Sequence, residues 1–167
     1  NINWCTEEIY ENALLTAGIY DADVKIAAPF AVSGTAALTG IYKAYEDITG
    51  ATLSEEAKQT AVEELVVTSE LAEDIGGADA AEVVNELKKI LAQTSSMSDE
   101  QLEEEIRTIA ENLNVELTDS QVSQLISLVR SLEKLDVSAL TEKLQSLQDT
   151  VKKVSGLGDK ISGFFSS

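Results

Sequence analysis

One turn in this chain carries residue types that could bind an anion or supply a nucleophile. Ser33-Gly34-Thr35 follows an extended apolar run and precedes a helical pattern. Backbone N–H groups at such a helix start can bind an anion. A phosphate loop would need a lysine after its second glycine, and Gly40 is followed by Ile41, so a Walker-type site is excluded. Ser33, Gly34 and Thr35 are therefore a candidate ligand site, and a tight turn with an N-cap is the simpler interpretation.

Catalysis by Ser33 has little support in the residues around it. The sequence does not match the Gly-x-Ser-x-Gly pattern of a serine nucleophile, and the chain has no histidine to act as its base. The other candidates for a base are Lys25 and Lys43, and neither lies at a spacing from Ser33 that supports this role. No catalytic residue is assigned, and the favoured interpretation is that this protein is not an enzyme.

Metal and cofactor sites lack their usual ligand sets. The absence of histidine excludes the common zinc sites, and Cys5 has no second cysteine as a partner, so a small buried hydrophobe is its expected role. Paired carboxylates lack the Asp-x-Asp-x-Asp-Gly spacing of a calcium loop, and most are expected on solvated helix faces. No metal and no cofactor are predicted. The carboxylate clusters are Glu7-Glu8, Glu55-Glu56, Glu63-Glu64 and Glu103-Glu104-Glu105.

Charge narrows the classes of partner. The 167 residues carry a net charge of −18, which disfavours nucleic acid and anionic membrane surfaces by repulsion. A basic protein partner remains compatible with this charge. No apolar run approaches the roughly 20 residues of a membrane-spanning helix. The chain starts at Asn1 without Met or a signal peptide, which favours a processed product or a fragment.

The first part of the chain, residues 1–93, is expected to combine helices with one or two short strands. Val24 to Ala28 alternates apolar and other residues with strand spacing, and Ile2 to Trp4 is a candidate second strand. Pro29 cannot donate to a strand ladder and marks an edge or an end of pairing. The helix predicted after Thr35 carries small residues at Ala36, Gly40 and Ala44, which would let a neighbouring backbone approach closely.

The second part, residues 94–167, is expected to be helical and either packed on the first part or extended as an arm. Ser98 and Thr118 each begin a capping box with glutamine three residues later, so two separate helices are predicted. A third amphipathic helix is predicted from Leu140 to Val154. The apolar residues of the C-terminal tail are expected to dock on the bundle or on a partner; they are Leu157, Ile161, Phe164 and Phe165. The fold class is therefore mainly α, built from helical hairpins.

Several short motifs between Thr6 and Leu71 carry a specific resemblance. They are Asn12-Ala13-Leu14, Thr16-Ala17-Gly18-Ile19, Asp21-Ala22-Asp23-Val24, Ala28-Pro29-Phe30, Val32 to Gly40, Lys43-Ala44-Tyr45-Glu46 and Glu63-Glu64-Leu65. This region resembles a family of exported Firmicutes proteins known only as a domain of unknown function (number one thousand and two). The resemblance implies export and an additional N-terminal region, and it supplies no catalytic residues.

Two functions follow as expectations. The favoured one is an exported, non-enzymatic protein, extracellular or at the cell surface, that binds a protein partner, including a basic one, or its own missing N-terminal region. The alternative is a small-ligand binder or a hydrolase-like enzyme centred on Ser33-Gly34-Thr35 and completed by that region. The oligomeric state is not indicated by the sequence.

Overall fold

The regular structure of the protein is helical in the parts of the chain that can be described. The computed structural model describes residues 4–20, 22–27 and 34–146. Eight helices lie in these ranges, and the last, α8, begins at 137 and is described through 146. The others are α1 (Glu7–Thr16), α2 (Ala37–Thr49), α3 (Glu55–Ile75), α4 (Gly77–Lys89), α5 (Leu91–Thr94), α6 (Asp99–Asn112) and α7 (Asp119–Leu132). The mainly α prediction holds.

The predicted short N-terminal strands are wrong. Residues 22–27, here called the extended segment, form no strand among the described residues. Val24 and Ile26 are half-buried and pack on the helices, whereas Lys25 between them is exposed. The alternating pattern is therefore produced by a segment without regular secondary structure that packs Val24 and Ile26 on helices, and no neighbouring strand is needed. Ile2 and Pro29 lie outside the described residues, and Trp4 lies in a bend.

The long helix α3 connects two apolar cores. The first core joins α1 and α2 with the beginning of α3. The second contains the end of α3 together with side chains from α4, α6, α7 and α8. Because α3 contacts α1, α4 and α7, it fixes the position of α1 relative to the C-terminal helices. The division of the chain into residues 1–93 and 94–167 stays a prediction.

Local signals set several helix ends. The side chains of Ser98 and Thr118 accept hydrogen bonds from the backbone N–H groups of Gln101 and Gln121, and both capping boxes are complete. Asn114 adopts a positive φ of 57° between α6 and α7, so the two helices are separate, which confirms the prediction. Leu140 and Leu144 of α8 are buried, and the residues predicted to continue that helix after 146 lie outside the described residues.

Candidate functional site

The turn singled out in the sequence is held by internal hydrogen bonds where it can be described. Ser33 lies outside the described residues. Gly34 is buried and adopts a φ of 94°, a conformation that strongly favours glycine. Its carbonyl accepts a hydrogen bond from the Tyr10 hydroxyl at 2.5 Å and another from the Ala37 N–H at 2.9 Å. This carbonyl is therefore used in packing α1 against the start of α2.

The start of α2 also differs from the expected N-cap. Ala36 is the N-cap residue, has a helical conformation and provides no side-chain cap. The carbonyl of Thr35 accepts from the N–H of Leu38 at 3.3 Å, so a helical turn already begins here. Gly34 and Thr35 thus act structurally as a turn that leads into α2, and their proposed role in ligand binding stays a prediction.

A cavity of about 440 Å³, here called the acidic recess, lies between α1 and the extended segment. Its lining combines exposed carboxylates with buried side chains. None of the carboxylates forms an ion pair with another described residue. Burial, followed by the negative charges of Glu7 and Glu8, raises the pKa of Glu11. The carboxylates are Glu7, Glu11 and Asp23, and the buried side chains are Cys5, Tyr10 and Leu14.

The potential nucleophiles in the acidic recess are kept in their neutral forms. Burial raises the pKa of the Cys5 thiol, although its hydrogen bonds with Ser69 and Tyr10 act in the opposite direction. The Ser69 hydroxyl donates to Cys5 Sγ at 3.4 Å. Burial and the neighbouring Cys5 raise the pKa of Tyr10 to about 12. Since the thiolate is the reactive form of cysteine, Cys5 is suited to packing rather than to nucleophilic attack.

A second cavity of about 580 Å³, here called the apolar groove, lies between the extended segment and α2. Val24 and Ile26 line it from one side, and Ile41 and Ile48 line it from α2. Ile48 is 84% exposed and is the one large hydrophobic side chain that is exposed in the described parts of the chain. The groove and the acidic recess share four lining residues of the extended segment, so the two cavities adjoin each other along it.

The row of small residues on α2 lies along this groove. Gly40 and Ala44 line the groove and are exposed, and Ala36 is exposed one turn earlier. A Cβ atom added at Gly40 would meet no heavy atom within 4 Å. The sequence therefore located a face that a neighbour can approach closely, but none of the described residues occupies that position.

A buried ion pair was missed by the sequence analysis. Glu64 and Lys88 are both fully buried, and Lys88 Nζ lies 2.5 Å from Glu64 Oε1. The Thr16 hydroxyl donates to the other carboxylate oxygen, and Lys88 also donates to the Asn12 carbonyl at 2.9 Å. Because these residues belong to α1, α3 and α4, the network joins three helices where the two cores meet.

Burial and pairing act on this ion pair in opposite directions. Burial raises the pKa of Glu64 and lowers that of Lys88, whereas the charge of each partner opposes the shift of the other. The Tyr42 hydroxyl is also buried and has no hydrogen-bond partner among the described residues. Burial and the charge of Glu64 raise the pKa of Tyr42. Since neither charged side chain reaches solvent, the network is suited to orienting the helices that it joins.

The positions of Glu64 and Lys88 relative to the apolar residues of their own helices indicated that both are buried. Glu64 lies three residues after buried Ala61, and Lys88 lies four residues after buried Val84. Both positions fall on the apolar faces of their helices. The prediction that most residues of the carboxylate clusters lie on solvated helix faces therefore has an exception at Glu64, which is buried.

The described ranges contain neither a metal-binding cluster nor a helix that could span a membrane. Those residues contain no group of three or more Cys, Asp or Glu side chains that could hold a metal ion. None of the helices described is both long enough and apolar enough to span a bilayer.

Comparison with known proteins identifies a class without an assigned activity. Residues 1–154 match the family described as "Protein of unknown function (DUF1002)", and the chain belongs to this family. The match extends well beyond residues 6–71, on which the resemblance in the sequence rests. No solved structure shows significant similarity.

A relative from Bacillus subtilis (strain 168) is similar over most of this chain. It is described as "Uncharacterized protein YpuA" and is 42% identical over 156 residues. The alignment covers 92% of this chain and 54% of the relative, so the chain spans about half of the relative's length. The relative's description assigns it no activity.

Proposed function

We propose that this protein is exported and acts by binding another protein through the apolar groove, without catalysing a reaction. The observation that carries the proposal is the open face of α2. Ile48 is 84% exposed beside a groove of about 580 Å³, and Gly40 leaves free space on the same face. A single exposed hydrophobic residue is ordinary, so the proposal rests on Ile48 together with the mostly apolar groove that adjoins it.

The energetics of the groove suit recognition of a partner. Fully burying one isoleucine side chain contributes about 1.5–3 kcal/mol relative to leaving it exposed. The side chain of Ile48 is almost wholly exposed, so its burial by a partner would contribute most of this free energy. Ile41 is half-buried and would contribute less. The small side chains at Gly40 and Ala44 let the partner approach the helix backbone, which improves packing around these anchors.

The chemistry of the nearby groups supports binding rather than catalysis. The pKa values of Cys5 and Tyr10 are both raised, which keeps these groups protonated at neutral pH. The charged pair of Glu64 and Lys88 is sealed from solvent. A catalytic site usually places a titratable group with a pKa near the working pH within reach of its substrate, and neither set of residues does so.

Export is the second half of the proposal, and it rests on the family resemblance. Fractionation of the native host tests it directly. Antibody detection should find the protein in the medium or at the cell envelope, with a cytoplasmic enzyme as the control for lysis. Recovery of the protein with the cytoplasmic marker would overturn this half of the proposal.

Site-specific photocrosslinking in the native host tests the binding half. A photoreactive amino acid at Ile48 should crosslink one protein reproducibly, whereas the same amino acid at exposed Glu104 on α6 should not. The captured protein, once purified, should bind the wild-type chain, and Ile48→Asp should weaken that binding at least about tenfold, since it removes one buried isoleucine. Equal binding by Ile48→Asp would overturn the proposal.

A further inference from the structure

The two cavities beside the extended segment differ in chemistry, and the difference indicates what kind of partner fits them. Most of the residues that line the apolar groove are apolar, including Ile41 and Ile48, and the charged residues in its lining are Asp23 and Lys25. The acidic recess contributes the carboxylates of Glu7, Glu11 and Asp23. A partner that covers both cavities therefore meets apolar side chains in the groove and negative charge in the recess.

The carboxylates of the acidic recess lack compensation by cations of the described chain. Some carboxylates elsewhere in the described chain do form ion pairs: Glu103 and Asp119 contact Arg107, and Asp99 and Glu133 contact Arg130. The lysine of the extended segment, Lys25, lines the groove and is absent from the lining of the recess. An incoming cation would therefore meet three carboxylates without displacing an existing ion pair.

The two cavities adjoin, so one short segment of a partner can contact both. Val24, Ile26 and their neighbours Ala22 and Asp23 line both cavities. Lysine and arginine carry their charged heads on long aliphatic stems, which can lie along apolar surface while the head reaches a charged site. One partner segment can thus place an aliphatic side chain in the groove and a cationic head in the recess.

We propose that the apolar groove receives a basic amphipathic segment of the partner protein, with an aliphatic side chain beside Ile48 and a lysine or arginine between Glu7, Glu11 and Asp23. This inference rests on the proposed binding function and names the chemistry of the partner. Charge complementarity selects this occupant over a second copy of the chain, because two copies would each bring a net charge of −18. A basic segment also associates faster with an acidic surface.

Two sets of charge variants separate the recess from the general acidity of the protein. The recess variant is Glu7→Gln, Glu11→Gln and Asp23→Asn. The control variant is Glu104→Gln, Glu111→Gln and Glu116→Gln, which removes the same number of charges from exposed positions in or next to α6. Circular dichroism during thermal unfolding verifies that each variant is folded. All measurements use the chain of 167 residues at about 0.15 M salt, where long-range attraction is screened beyond about 8 Å.

The probe is a labelled synthetic helix of 18 residues with leucine on one face and lysine on the other, and binding is followed by fluorescence anisotropy. The recess variant should weaken binding about fivefold, and the control variant less than twofold. Ile48→Ser and Gly40→Gln should each weaken binding about tenfold, because they remove an anchor or fill the groove. A peptide with glutamate in place of lysine should not bind. Equal losses in the two charge variants, or binding that is insensitive to both groove variants, would overturn the inference.

The protein captured from Ile48 distinguishes this inference from the proposed function. If that partner binds through the groove but is insensitive to the recess variant, the proposed function stands and the basic-segment inference fails. If the groove variants leave the partner's affinity unchanged, the proposed function itself fails.

Discussion

Glu64 and Lys88 form the most consequential polar contact among the described residues. Their side chains are fully buried. Glu64 also accepts a hydrogen bond from the Thr16 hydroxyl of α1, and Lys88 donates one to the Asn12 carbonyl of α1. An ion pair in such a site gains little net stability over an apolar pair, but removal of one partner leaves an uncompensated buried charge. The pair therefore acts at the residue scale as a constraint on how α1, α3 and α4 fit together.

Lys88→Met should lower the free energy of unfolding by about 3–5 kcal/mol, because Glu64 would remain buried without its cation. Urea unfolding followed by circular dichroism measures the change. The matched control is Lys89→Met, which removes a partly exposed partner of Glu86 and should cost less than about 1 kcal/mol. Equal costs for the two lysines would contradict the burial of the pair.

The two buried tyrosines should respond in opposite ways to loss of their hydroxyl groups. Tyr42→Phe should raise the unfolding free energy by about 1 kcal/mol, because it removes a buried hydroxyl with no partner among the described residues. Tyr10→Phe should lower it by about 1 kcal/mol, because the hydrogen bond to the Gly34 carbonyl is lost. The same unfolding experiment compares them, and a stabilised Tyr10→Phe variant would speak against the turn at Gly34.

Residue identity alone did not reveal this network. Glu64 belongs to a carboxylate pair in the sequence, and such a pair is typical of a solvated helix face. Its position on the apolar stripe of α3 indicated burial instead. The pairing with Lys88 could not be predicted, because the two residues meet through the packing of α4 on α3 and not through their spacing on one helix.

The helices illustrate how well local signals work at the scale of an element. The capping boxes at Ser98 and Thr118 were predictable because each side chain satisfies backbone N–H groups within the same turn. The structure of the extended segment was not predictable, because the same alternation of apolar and polar side chains occurs in a strand of a sheet and in a chain that packs on helices. Which of the two forms depends on the tertiary neighbours of Val24 and Ile26.

Thr118→Ala should lower the unfolding free energy by about 1 kcal/mol without changing the helix content. Thr108→Ala is the control, since Thr108 is exposed within α6, where alanine is a better helix former. Thermal unfolding by circular dichroism should place the Thr118 variant below the wild type and the Thr108 variant at or above it. The reverse order would show that the capping box adds nothing to stability.

At the scale of the whole molecule, charge and groove together determine which partners are accessible. The net charge of −18 favours basic surfaces over anionic ones. The described helices surround two cores, and the apolar groove lies on the outer side of α2, next to the first core. None of the described helices covers the exposed side chain of Ile48 at this groove.

The protein should not bind duplex DNA or anionic lipid vesicles at about 0.15 M salt, because each approach must overcome repulsion between like charges. Fluorescence anisotropy with labelled DNA and flotation with phosphatidylserine vesicles check the two cases. A salt-sensitive dissociation constant in the micromolar range for either ligand would show that a basic patch overrides the average charge.

Hydrogen exchange shows where a partner covers the chain, so it tests whether the apolar groove is the binding site. The experiment compares the protein alone with its complex with the protein captured through Ile48. Exchange should be slower in residues 22–27 and in Ala37–Thr49 of α2, and unchanged in Asp99–Asn112 of α6. Protection that is absent from α2, or confined to α6, would contradict the assignment of the apolar groove as the binding site.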